Sequence, residues 1–129
     1  RNAFTAGFLG EISYLTGMVA PADGAFTRIM TPYGPLHCLR SDTVPEGRTV
    51  VAGVRPEHVT LGRDRPAGQV NVLEGAVASA LYEGTRVKYR VAIGDASVLA
   101  YAAETFAVDE RLYAAIEPKH LILLPQLTP

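Results

Sequence analysis

The side chains best equipped for chemistry in this chain are three histidines, one cysteine and a scatter of serines, and their spacing decides what they can do. His37-Cys38, His58 and His120 carry imidazole and thiol groups that zinc accepts, yet no Cys-x-x-Cys or His-x-x-x-His pair sets two ligands side by side. No metal is expected. Ser13, Ser41, Ser79 and Ser97 stand outside any Gly-x-Ser-x-Gly setting, and a nucleophile needs a base and an orienting third group. A phosphate loop binds through successive backbone N–H groups and a lysine, whereas Glu83-Gly84-Thr85-Arg86 has neither the spacing nor the lysine. No catalytic residue is expected.

The sharpest local signal is the turn Arg55-Pro56-Glu57-His58, with Gly53 just before it. Pro56 fixes its own φ and biases Arg55 to an extended conformation, so a strand over Val50–Val54 is expected to end there and bend into a brief helical turn. Glu117-Pro118-Lys119-His120 is a second such turn with the two charges exchanged. If the two are related by a pseudo-twofold, Arg55 is brought towards Glu117 and Glu57 towards Lys119. A further candidate is the turn at Gly84 and Gly94, whose N–H groups with Arg86 or Lys88 are suited to an anion. Along Arg86-Val87-Lys88-Tyr89-Arg90-Val91 charged and apolar residues alternate, as in a strand with one wet and one buried face.

The two proline turns belong to a longer echo. Thr49–Leu61 (TVVAGVRPEHVTL) recurs without a gap as Arg111–Leu123 (RLYAAIEPKHLIL), with Ala52/Ala114, Pro56/Pro118, His58/His120 and Leu61/Leu123 identical. Leu15–Ala20 is matched by Leu73–Ala78, and Gly24 and Gly34 by Gly84 and Gly94, which asks for two short insertions at turns. Two copies are too few for a solenoid, so pseudo-repeats over about 15–61 and 73–123 are expected to close into one body.

A chain of 129 residues can bury a core without metal or disulfide, and its lone Cys38 fits a reducing compartment. Twelve basic and thirteen acidic residues leave no net field for a nucleic-acid backbone, so no nucleic-acid partner is expected. Between turn signals such as Pro21-Ala22-Asp23-Gly24, short apolar runs predict strands at Gly17–Ala20, Ala25–Thr31, Leu36–Leu39, Thr49–Val54, Gln69–Leu81, Arg86–Ile93, Ser97–Ala102, Arg111–Glu117 and Leu121–Leu124. The spacing of Phe4, Phe8, Leu9, Ile12 and Leu15 is closer to helical, weakened by Gly7 and Gly10. The fold class is therefore all-β: a small, mostly antiparallel OB-like barrel of intertwined pseudo-repeats.

Three segments, Asn2–Glu11 (NAFTAGFLGE), Gly53–His58 (GVRPEH) and Leu73-Glu74-Gly75 with Tyr82-Glu83-Gly84, resemble in order and spacing the C-terminal regulatory region, called the TOBE domain, of ATP-binding subunits of bacterial ABC importers. The resemblance spans essentially the whole chain and covers the polyamine, iron, sulfate and sugar branches. It implies that residues 1–14 are the helical tail end of a preceding ATPase domain and 15–129 the barrel. It further implies that ATP and Mg belong to the missing ATPase domain and that this fragment holds no cofactor. The implied partners are its own ATPase domain, a second copy of the subunit and membrane permeases, at the inner face of the cell membrane in the cytoplasm. Gly53, Arg55, Pro56, Glu57 and His58 become the family-motif and interface candidates. The alternative function is a sensor of an oxyanion or of the transported solute, with Gly84, Arg86 and Lys88 as its residues.

Overall fold

The computed structural model describes residues 11–21 and 24–125. Phe4, Phe8 and Leu9, on which the helical spacing chiefly rests, lie outside the described residues. Among the described residues ten strands form: β1 (Ser13–Val19), β2 (Phe26–Thr31), β3 (Gly34–Leu39), β4 (Thr49–Val54), β5 (Val59–Gly62), β6 (Val72–Glu83), β7 (Arg86–Ile93), β8 (Ala96–Ala102), β9 (Arg111–Ile116) and β10 (Ile122–Pro125). Short 3-10 turns at Pro56–His58 and Pro118–His120 join β4 to β5 and β9 to β10. The fold is all-β and OB-like, built from two five-stranded antiparallel sheets in the orders β10-β4-β1-β2-β3 and β5-β9-β6-β7-β8.

Those orders show how the halves intertwine. β1 to β4 form one sheet and β6 to β9 the other, but each half sends its last strand across: β5 pairs with β9, and β10 pairs with β4. The exchange is reciprocal to the residue, because Leu61 lies opposite Ala114 while Leu123 lies opposite Ala52. Of these two crossing strands, only β10 was anticipated from the apolar run in its own sequence. Val59-Thr60-Leu61-Gly62 breaks its apolar run with Thr60 and Gly62, so it does not announce itself, and only the repeat predicts it.

Alternation explains the burial. Leu15, Val19, Ile29, Leu36, Val50 and Val54 point into the core from the first sheet, and Leu73, Val77, Val91, Val98, Leu112 and Ile116 occupy the matching places in the second. At one position Thr27 is answered by the far larger, fully buried Tyr89. Both side chains do the same polar work. The Thr27 hydroxyl accepts from Ser41 N–H at 2.8 Å, and the Tyr89 hydroxyl accepts from Phe106 N–H at 2.8 Å while donating to Glu104 O at 2.9 Å. Ser13 Oγ, at the start of β1, accepts from Leu99 N–H of β8 at 2.8 Å. Its counterpart Asn71, just before β6, accepts from His37 N–H and donates to His37 O of β3, each at 2.7 Å.

Register corrects the expected insertions. Val19 lies opposite Ile29, and Val77 opposite Val91, so the β6–β7 hairpin is four residues longer than its counterpart and takes up the whole change of spacing at one place. Gly34, paired with Thr31, has Ala96, paired with Ile93, as its counterpart in the second half rather than Gly94, because turn glycines follow local backbone demand while register follows buried side chains. Gly94 takes φ 61° at the first position of a two-residue loop, as hairpin loops of this length require. The start of β1 at Ser13 also places Ser13 and Tyr14 in the barrel's first strand.

Two equivalent glycines mark where a neighbouring backbone passes close. A Cβ on Gly17 would sit 2.6 Å from Met30 O, and one on Gly75 would press still more closely on Ala92 O. Gly75→Ala is therefore expected to cost about 2–4 kcal/mol, from strain against backbone that cannot swing aside. Gly53→Ala, whose added methyl meets the Ile12 side chain at 3.1 Å, is expected to cost less than half as much. Urea midpoints of the two variants check the order; equal midpoints would contradict it.

Candidate functional site

The two proline turns meet. Arg55 is extended, with φ −84° and ψ 149°, and buried Pro56 opens the turn that carries His58; Glu117 and Pro118 repeat this geometry before His120. His58 N–H donates to Arg55 O at 3.0 Å and His120 N–H to Glu117 O at 2.9 Å, so the two turns close alike. The His58 and His120 rings then stack in parallel, 3.7 Å between centroids and 5° between planes. Equivalent side chains can touch each other only on the axis that relates them, so this pair marks the pseudo-twofold. Lys119 Nζ lies 3.6 Å and His120 Nδ1 4.0 Å from Glu117 Oε1, which places both side chains beside the acid of their own turn.

A pocket of about 420 Å³ opens beside the ring pair. Glu57 and Glu117 reach its wall from the two turns, Tyr113 from β9 and Asp64 from the connector after β5. The Arg65 guanidinium lies 5.1 Å from the centre of the Tyr113 ring and helps hold this connector against the outside of the second sheet. The wall offers carboxylates, imidazoles and a phenol, chemistry suited to holding a polar or cationic molecule. Cys38, by contrast, is buried in the core and donates to Thr27 O at 3.6 Å; burial pushes its thiol up and keeps it protonated and inert.

Gly53 sits in β4 under Ile12 and Tyr14, and its motif neighbours lead into the pocket through Glu57 and His58. Gly84 occupies the tip of the long hairpin with φ 68°. Arg86 lies 3.5 Å from the centre of the Tyr101 ring and 3.8 Å from Glu83, and Lys88 bonds Glu11 at 2.6 Å and faces Glu83 at 3.6 Å. The hydrogen bond to Glu11 is the main cause that raises the Lys88 ammonium. The motif and the hairpin candidates are thus separate places. Thr60, Asp64 and Tyr113 were not grouped as a site from sequence because only the strand exchange sets β5 and its connector, next to His58, against Tyr113 of β9.

A profile of the TOBE domain matches residues 52–124. The chain belongs to the TOBE family. The match covers both proline turns, β5 and all but the last residue of β10. Relatives of this TOBE domain include the spermidine/putrescine import ATP-binding proteins PotA of Pseudomonas fluorescens, 31% identical over 77% of this chain and 26% of that protein, and of Acidothermus cellulolyticus, 34% identical over 78% and 27%. The PotA of Thermobifida fusca is 27% identical over 95% of this chain and 34% of its own length. The chain spans about a quarter to a third of these relatives. Among solved structures the fold is shared with the cytoplasmic molybdate-binding protein ModG, with a TM-score of 0.77 and 19% identity over 88% of this chain and 95% of that one.

Next to the pocket, Arg63 fastens the loop between β8 and β9. Its guanidinium pairs with Glu110 and Glu104, donates to Thr105 O at 3.0 Å and lies 4.7 Å from the centre of the Phe106 ring. The Arg63 hydrogen bond first, and then Ala107 N–H, hold the Glu110 carboxyl below its ordinary value. A carboxyl depressed by folding contributes stability that is complete above its unfolded value of about 4.3 and is lost as pH falls through the lower folded value. Urea midpoints taken from pH 7 to pH 3 are therefore expected to fall more steeply in the wild type than in Glu110→Gln. Parallel curves would contradict the assignment.

Proposed function

We propose that this domain is the regulatory and dimer-stabilising C-terminal domain of the ATP-binding subunit of an ABC-type solute importer. The observation that carries the reading is the TOBE match across the exchanged core, together with relatives that are import ATP-binding proteins. In this role ATP and Mg are held by the ATPase portion of the subunit, and the TOBE domain acts on that portion, on the second subunit and, through them, on the permeases at the inner face of the membrane. Among the described residues no helix is long and apolar enough to cross a membrane. A rigid accessory body regulates only if its contacts favour one arrangement of the subunits over another. One core shared by both halves supplies that rigidity.

The pocket favours a second reading, that the domain senses a small solute. Glu57, Asp64 and Glu117 on its wall fit an organic cation better than an oxyanion, and the names of the relatives point to diamines and polyamines. At the other candidate, Arg86 and Lys88 already face Glu83, with Glu11 beside Lys88.

Deleting the domain from the full subunit is expected to leave ATP binding intact while changing subunit dimerisation or the regulation of transport. Unchanged dimerisation and regulation would refute the first reading. For the second, calorimetry with putrescine, spermidine, sulfate and molybdate is expected to give heat with the amines, weakened at least fivefold in Glu57→Gln/Glu117→Gln. Heat with the oxyanions alone, or with none of the four, would refute the cation site.

A further inference from the structure

The loops that follow β3 and β8 share one backbone layout and differ in what fills the space beneath them. Gly47 N–H donates to Val19 O and Asp109 N–H to Val77 O, each at 2.8 Å, while Arg48 O and Glu110 O accept from Val19 N–H and Val77 N–H at 2.9 and 3.0 Å. Gly47 and Asp109 both take positive φ, 84° and 73°. Residues 41–48 and 103–110 therefore correspond position by position. Under the second loop the chain fills the space itself: Tyr89 and Phe106 are buried with their rings edge to face, 5.4 Å between centroids, and the Tyr89 hydroxyl bridges Phe106 N–H and Glu104 O. Thr27 and Val44 stand in their places in the first half, so two rings are replaced by two short side chains. Cys38 opposite Thr27, against Ala100 opposite Tyr89, returns only the volume of one sulfur atom. A pocket of about 230 Å³ opens there, lined from the strands by Val19 and Thr27 and from the loop by Ser41, Asp42 and Val44. Among the described residues Val44 N–H and Asp42 O make no hydrogen bond. They are the counterparts of the donor and the acceptor that the Tyr89 hydroxyl joins.

We infer that this pocket is a binding site for a small phenol, whose ring takes the space that Tyr89 and Phe106 fill in the other half and whose hydroxyl accepts from Val44 N–H and donates to Asp42 O. The size is sufficient, since an engineered apolar cavity of about 150 Å³ admits benzene. The chemistry is selective, because a group that joins one N–H to one C=O must accept and donate at once, which a phenol does and a carboxylate or an ammonium does not. Arg40 is paired with Asp42 at 3.2 Å and Glu46 is exposed, so the inner wall offers hydroxyl and amide groups rather than charge. The two loops are also held differently. Arg63 clamps the second through Glu104, Glu110 and the Phe106 ring, whereas Arg48 stands where Glu110 does, and Arg40 ties the first through Asp42 and Gly24 O at 3.0 Å. An occupant would fasten the first loop as Tyr89 fastens the second. The site is separate from the acid-lined pocket beside His58 and His120 and stands whatever that pocket binds.

Amide nitrogen–proton correlation spectra of the 129-residue chain, titrated with p-cresol, the tyrosine side chain without its backbone, test it. Saturable shifts at Val19, Ser41 and Val44 are expected, with a Kd on the order of 1 mM for so small a ligand. Toluene, which lacks the hydroxyl, is expected to bind at least fivefold more weakly. Val44→Phe and Thr27→Tyr each fill the pocket with a ring from the chain itself and are expected to weaken p-cresol at least tenfold. Urea midpoints establish that each variant is folded, and either one that folds decides the question. N-acetyl-tyrosinamide separates the two sources of a phenol: binding equal to p-cresol assigns the site to a tyrosine presented by a polypeptide, and binding at least tenfold weaker assigns it to free phenols. No saturable shift up to about 20 mM p-cresol, well above the expected Kd, overturns the inference. So does equal binding of toluene, or undiminished binding of p-cresol in a folded variant.

Discussion

The reciprocal exchange of final strands is the constraint on which the rest of the molecule depends. β5 completes the second sheet and β10 completes the first, each in the same register against its host. Neither half can close its own sheet, since the strand that would do so has its backbone partners in the other half. Val59, which opens β5, and Leu121, which immediately precedes β10, are buried in the common core. The Pro56 and Pro118 turns make the crossing, and the stacked His58 and His120 sit where the crossings meet. A polar tie on either side repeats the pattern, Ser13 to Leu99 and Asn71 to His37, each from the beginning of one sheet's first strand to the edge strand of the other.

Symmetry within and asymmetry outside divide the work of this domain. The interior follows the pseudo-twofold closely enough that Gly17 and Gly75 meet equivalent backbone neighbours, Met30 O and Ala92 O. Outside, the first sheet carries exposed apolar residues on β1, β2 and β10 beside Arg28 and His37, while the second gains a covering connector, an acid-lined pocket and a hairpin four residues longer. One repeated framework thus supplies rigidity, and departures from the repeat supply surfaces that differ in chemistry. Such a body suits a TOBE domain, whose proposed effect on a neighbouring ATPase depends on contacts rather than on chemistry of its own.

Much of this was legible in the residues. The Thr49–Leu61 echo disclosed the two halves, and alternation along Arg86–Val91 disclosed a strand wet on one side. Pro56 and Pro118 disclosed where strands end, because a proline's effect on backbone is local and does not wait on tertiary context. What stayed hidden was decided at long range. Which half a final strand joins is a matter of pairing, and Val59–Gly62 carries too little apolar length to show it. The glycine correspondences were misleading for a related reason: Gly34 and Gly94 answer separate turn geometries, and only Ile29/Val91 and Leu36/Val98 keep the true register. The pocket was hidden because Asp64 and Tyr113 come together only after the exchange.

The most direct test of the reciprocal closure is residue-resolved native-state hydrogen exchange. Protected amides of the β5–β9 and β10–β4 ladders are predicted to open with the same free energy as the ladders within each half, and Val59→Ala in one crossing strand to lower protection in both sheets equally. One sheet staying protected while the other exchanges, in the wild type or in the variant, would contradict a single body held shut by mutual strand donation.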